Sequence, residues 1–198
     1  MGQPEIHTFE LSESFADETF LSKDEQRRLK SLAYTGGRRK EWILGRVAIH
    51  RALEEDFPGE RFEIGSTPRG APCVNGTTRL NVSLSHDGDF FGVALTEGRR
   101  EVGMDVCRIS HSSRLTRILQ RLALDLPNLP PSLIWASFEA VLKIHKRGIT
   151  ALLDADLTIN PQGDSLFVTG IGTADQVFYR KQPEYFVAWC CSEAECTS

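Results

Sequence analysis

From residue 80 onward the chain alternates apolar and polar positions with period two. Leu80, Val82 and Leu84 alternate with Asn81, Ser83 and Ser85, Asp87-Gly88 marks a tight turn, and Phe91, Val93 and Leu95 resume the pattern. This predicts a β-hairpin with Ser85 and His86 at its turn end. A second turn at Glu97-Gly98-Arg99 leads into a strand over 102–107. Val102, Met104 and Val106 share one face there, and Gly103, Asp105 and Cys107 share the other. Residues 38–53 switch to helical period: Leu44, Val47, Ala48 and Ala52 fall on one side, while Arg39, Arg46 and His50 recur along another. Between 54 and 79 Gly, Pro and turn residues predict loops, with 66–72 an ordered one.

Two more helices are predicted. Over 113–124, Leu115, Ile118, Leu119 and Leu122 make an apolar stripe edged by Arg114, Arg117 and Arg121, and Pro127, Pro130 and Pro131 end it. Over 133–145, Trp135, Glu139 and Lys143 share a face at four-residue spacing. The remaining apolar runs, 157–159, 166–168, 176–179 and 185–190, read as short strands. Hairpins in both halves with helices beside them give an α+β class with a divide near residue 100.

The 198 residues suffice for one large domain or two small ones with a real core. No apolar run approaches the ~20 residues of a membrane span, and the first residues lack a basic and apolar leader, so no membrane association is expected. Five scattered cysteines, Cys73, Cys107, Cys190, Cys191 and Cys196, do not make a disulfide framework, which favours a reducing, cytoplasmic setting, and with no Cys-x-x-Cys pair and no Cys/His array of zinc spacing no structural zinc site is expected.

The net charge of −4 argues against bulk nucleic-acid binding. Its distribution says more. Residues 27–51 hold eight arginines and lysines against Glu41 alone, inside an otherwise acidic chain. Such a segment suits a local polyanion such as a phosphorylated small molecule; it also reads as a solvated helix face.

Asp105 on a strand and Glu139 on a helix are the best pair of hard oxygen ligands for Mg²⁺, which uses one or two carboxylates beside phosphate and water. Lys143, one turn beyond Glu139, would place a cation beside a proton acceptor. The same two residues also read as an exposed helix ion pair. His86 beside Ser85 suits a phosphate donor or half of a nucleophilic pair.

Four blocks in order resemble the 4′-phosphopantetheinyl transferases of the larger, monomeric type that modify carrier proteins. RRKEWILGRVAIHRAL (38–53) is similar to the family's Gly-Arg helix, STPRGAPCVNG (66–76) to its nucleotide-lining Gly-x-Pro loop, and NVSLSHDGDFFGVAL (81–95) to its Ser-His strand end. VGMDVC (102–107) with WASFEAVLK (135–143) are similar to its metal and catalytic motifs. The resemblance implies two similar α+β subdomains, 1–100 and 101–198, each an antiparallel sheet with a packed helix, related by a pseudo-twofold.

It also implies transfer of phosphopantetheine from coenzyme A to a serine of an acyl or peptidyl carrier protein, with Mg²⁺ on Asp105 and Glu139. Glu139 and Lys143 would be catalytic, and Arg39, Arg46, Arg69, Gly70, Ser85 and His86 would bind coenzyme A. A monomer is implied, with Arg114, Arg117 and Arg121 facing the acidic carrier.

Two positions depart from the family pattern: Cys107 replaces a second carboxylate, and Phe138 replaces a lysine before Glu139. The segment from Cys107 to Trp135 is also short. The alternatives are a coenzyme A or nucleotide binder without transferase activity, and a structural scaffold.

Overall fold

The computed structural model describes residues 3–76, 78–122, 127–153, 155–172 and 174–192. Among these the chain runs β1 (Glu5–Glu10), α1 (Lys23–Leu32), α2 (Gly36–Asp56), β2 (Glu63–Ser66), β3 (Pro72–Asn75), β4 (Leu80–Asp87) and β5 (Phe90–Glu97). Then come β6 (Glu101–Arg108), α3 (Ser112–Arg121), α4 (Pro131–Ile144), β7 (Thr158–Gln162), β8 (Ser165–Thr169), β9 (Asp175–Lys181) and β10 (Tyr185–Ser192). The class is α+β, with two antiparallel five-stranded sheets ordered β1-β5-β4-β3-β2 and β6-β10-β9-β8-β7.

The two orders are the same permutation. Each half is a strand, a pair of helices, then a four-stranded meander whose last strand pairs with the first. Chain order thus repeats where the sequence does not.

Three apolar clusters hold the layers together. In the first half Leu44, Val47 and Ala48 of α2 bury against Leu80, Phe91 and Val93 of the sheet. In the second, Leu133, Phe138 and Val141 of α4 pack with Leu115 and Leu119 of α3 against Leu166, Val177 and Phe186. Between the sheets lie Phe90 and Ala94 of β5, Val102, Met104 and Val106 of β6, and Tyr185 and Val187 of β10. β5 is therefore covered on both faces, which its nearly unbroken apolar run permits.

Close approach explains Gly103. A Cβ there would lie 2.0 Å from the carbonyl oxygen of Ala140, so α4 sits directly on β6. This fixes the phase of β6: Val102, Met104 and Val106 face the other sheet, and the Gly103, Asp105 and Cys107 side faces α4, as the alternation predicts.

The edge of β6 is satisfied unusually. Backbone N–H groups of Met104, Val106 and Arg108 donate to Ser83 Oγ at 3.0 Å, Ser85 Oγ at 3.3 Å and Asp87 Oδ2 at 2.8 Å. Three alternate side chains of β4 thus do what a neighbouring strand would do, joining the halves without merging the sheets.

The interval 54–79 is more ordered than its Gly and Pro content predicts, since it contains β2 and β3. Each has four residues, too few for alternation to stand out. The predicted loop remains between them: Thr67 N–H donates to Ala71 O at 2.8 Å and Gly70 N–H to Thr67 O at 2.9 Å, with Gly70 at φ +88°. That backbone region is one a side chain resists. The predicted helix over 113–124 is α3; its last residues, 123 and 124, lie outside the described residues, as does Cys196. No described helix is long and apolar enough to cross a membrane.

Candidate functional site

The side chains of Asp105, Lys143, Ser85 and Glu139 converge where β4, β6 and α4 meet. Asp105 is 7% exposed. Its Oδ1 accepts from Ser85 Oγ at 2.6 Å and from Lys143 Nζ at 2.8 Å. Lys143 Nζ also donates to Met104 O at 2.8 Å and to Leu84 O at 3.5 Å. Its ion pair thus runs across to the strand, not along α4 to Glu139, and the exposed helix pair is not the arrangement adopted.

Burial first, and the nearby Asp105 carboxylate second, push the Glu139 carboxyl above its ordinary range, with the Lys143 charge opposing them. Two carboxylates and one ammonium leave surplus negative charge here. That donor chemistry, two carboxylates from rigid elements, fits a hard divalent cation.

Cys107 follows Asp105 on the same side of β6 and is 4% exposed. Burial raises its thiol to about 12, reinforced by Asp105, Asp87 and Glu139, so it adds no charge at neutral pH. Phe138 is fully buried in the α4 core. The position before Glu139 therefore points into the protein, and no cation is missing beside Asp105 on its account.

Ser85 and His86 point to opposite sides of β4. Ser85 turns to β6, whereas His86 stacks on its cross-strand neighbour Phe91 with ring centroids 5.1 Å apart. A Ser/His nucleophilic pair is not formed. His86 Nδ1 is buried without a hydrogen-bond partner.

The basic stripe of α2 turns inward. Arg46 is 4% exposed, donates to Gly65 O at 2.7 Å and Ser66 Oγ at 2.6 Å, and stacks over Trp42. It anchors the start of the 66–72 loop. Arg39 pairs with Glu18, and His50 Nε2 lies 2.9 Å from Glu25 Oε2. Acidic residues of the first 25 positions thus neutralise much of the stripe, a use that charge counting did not reveal. From the middle of the loop, Arg69 donates to Lys146 O beyond α4, so the loop spans from one half to the other.

A cavity of about 700 Å³ lies away from Asp105, lined by His50, Leu53, Arg61, Phe62 and Asn75 among others. Arg114, Arg117 and Arg121 are all exposed on α3, opposite its buried Leu115 and Leu119. Sequence reasoning missed Ser83, Asp87 and His111. The signal for the first two was the polar side Ser83, Ser85, Asp87 of β4, whose partner strand was unknown.

Compared with protein-family models and with curated proteins, the chain shows no match to either.

Proposed function

We propose that the protein is a 4′-phosphopantetheinyl transferase, moving phosphopantetheine from coenzyme A to a serine of an acyl or peptidyl carrier protein and releasing adenosine 3′,5′-bisphosphate. The observation that carries this reading is the Asp105–Lys143–Ser85 cluster with Glu139 beside it, built at the junction of two halves of identical strand order.

Asp105 and Glu139 would hold Mg²⁺, which when bound offsets charge on the coenzyme A pyrophosphate. Ser85 and Lys143 hold Asp105 Oδ1 in one orientation. Glu139, its carboxyl raised by burial, is the group suited to accept the proton of the attacking serine. The serine oxygen bonds to the β-phosphorus as the bond to the bridging oxygen breaks, and the proton goes to Glu139. Lys143 supplies the positive charge beside the departing phosphate. Arg46 acts indirectly by fixing the loop that carries Arg69 and Gly70 toward the nucleotide. Arg39 is held by Glu18 and His86 faces Phe91, away from Ser85 and Asp105, so a part for either in holding coenzyme A rests on the resemblance alone.

The protein incubated with apo carrier proteins, coenzyme A and Mg²⁺ should add a phosphopantetheine mass to the carrier, and Glu139→Ala should add none. Binding of coenzyme A with no mass gain on any carrier would instead indicate the non-catalytic binder.

A further inference from the structure

One rung along the β4–β6 junction from Ser85 and Asp105, a second set of ligand-type side chains comes together. A carboxylate oxygen of Asp87, Sγ of Cys107 and a ring nitrogen of His111 all lie within 4.8 Å of one another. They come from β4, from β6 and from the short 3-10 turn Ile109–His111. His111 Nδ1 stands 3.2 Å from Asp87 Oδ2.

Bonds of about 2.0 Å to nitrogen or oxygen and about 2.3 Å to sulfur put tetrahedral ligands about 3.3–3.5 Å apart. The Asp87–His111 pair already has that spacing. Asp87 is also held in place, because its Oδ2 accepts the Arg108 N–H at 2.8 Å, the kind of outer bond that orients a ligating carboxylate. The Arg108 guanidinium, the adjacent cation, is directed to the Tyr185 hydroxyl. Cys107 is buried while the His111 side chain is 47% exposed, so the cluster is anchored inside and reachable from solvent at its histidine edge.

The donor set selects the ion. One thiol, one imidazole and one carboxylate suit Zn²⁺ or Co²⁺ and are poor partners for Mg²⁺ or Ca²⁺, which take oxygens. Three protein donors leave a fourth position open. We infer that Asp87, Cys107 and His111 form a binding site for a divalent cation of the zinc class, separate from the hard-oxygen pair Asp105 and Glu139. On coordination the thiol proton leaves to solvent and the sulfur binds as thiolate. The inference uses no step of the transferase reading and is tested without turnover.

Chelator-treated, reduced protein should take up one equivalent of Co²⁺ with a near-ultraviolet thiolate-to-cobalt charge-transfer band. Zn²⁺ should abolish the band by displacement, and a large excess of Mg²⁺ should leave it. Cys107→Ser should lose the band while keeping the wild-type circular dichroism. His111→Ala, at an exposed position, should weaken Co²⁺ binding roughly tenfold or more and carries the test if the serine variant does not fold. No charge-transfer band in the wild type, a band unchanged in Cys107→Ser, or wild-type affinity in His111→Ala would each overturn the site.

Discussion

Ser85 donates its hydroxyl proton to Asp105 Oδ1 at 2.6 Å and with the same oxygen accepts the Val106 N–H at 3.3 Å. One side chain thereby fixes a candidate ligand and closes an open strand edge. Ser85→Ala removes both bonds, leaving a buried N–H without a partner and a carboxylate with one donor fewer, and should cost about 2–4 kcal/mol. Ser83→Ala removes only the bond from Met104 N–H and should cost about 1–2 kcal/mol. Urea unfolding of both variants measures this, and a Ser85→Ala protein as stable as wild type would show that the ladder does not hold the halves.

Glu139 and Glu25 should respond to pH in opposite directions. Burial, then Asp105, raises Glu139 above its ordinary 4.5, so the native state holds that proton more tightly than the unfolded chain. Stability from this group falls as pH rises from below 4.5 through the raised native value, and Glu139→Gln should be the more stable protein at neutral pH. For Glu25, burial opposes ionisation, but the hydrogen bond and charge of His50 and the bonds from Ser22 outweigh it and lower the carboxyl. That stability is present above 4.5 and lost as pH falls through the lowered native value, so Glu25→Gln should be less stable at neutral pH, with a gap that closes in acid. Thermal midpoints from acid to neutral pH distinguish the two, and a Glu139→Gln protein weaker than wild type at neutral pH would contradict the first assignment.

Phe138→Lys, which would restore the lysine of the resembled motif, should damage the protein. The side chain is fully buried in the α4 core, and the substitution both empties an aromatic site and carries a charge into it. Loss of the ring alone costs about 3–5 kcal/mol, and an unpaired buried charge adds to it. The expected result is a large drop in thermal midpoint with no faster carrier modification. A stable variant with a higher rate would place residue 138 beside the substrate after all.

The exposed stripe Arg114, Arg117, Arg121 should matter to the carrier and not to coenzyme A. Reversing all three to Glu is expected to raise the KM for an acidic carrier by tenfold or more at low salt, with the difference shrinking as salt is added. The KM for coenzyme A should stay unchanged. Equal KM values for wild type and variant would leave the stripe a solvated helix face.

The alternation that predicts β4, β5 and β6 also fixes which side of each strand is buried, because period two permits a single phase once one face is apolar. The helical repeats of α2 and α4 are legible for the same reason. β1 and α1 are not, since Glu5–Glu10 alternates weakly and α1 carries only Leu29 among its apolar buried positions.

In the site, the residue types were legible and the pairings were not. Lys143 sits one helical turn from Glu139 but bonds to Asp105, and Ser85 adjoins His86 but bonds to Asp105 as well. The first choice is made by the seating of α4 on β6 and the second by the contact between β4 and β6, whose residues lie about twenty positions apart. Arg46 shows the converse: a cation in a basic run is most simply read as facing a ligand, yet here the backbone of β2 claims it.

The pairing of first strand with last has a consequence for how the chain reaches its native state. Glu5 pairs with Leu95 and Glu101 with Ser192, so neither sheet closes until nearly a whole half has been ordered. Such distant pairings carry a large closure entropy and slow folding. In chain order β1 to β5 are all complete before β6 begins. The hydroxyls of β4 that receive the edge of β6 thus precede it in the chain. The expected outcome is that pulse-labelled hydrogen exchange protects the amides of the first sheet before those of the β6–β10 pairing, and simultaneous protection of both sheets would show that the halves form together.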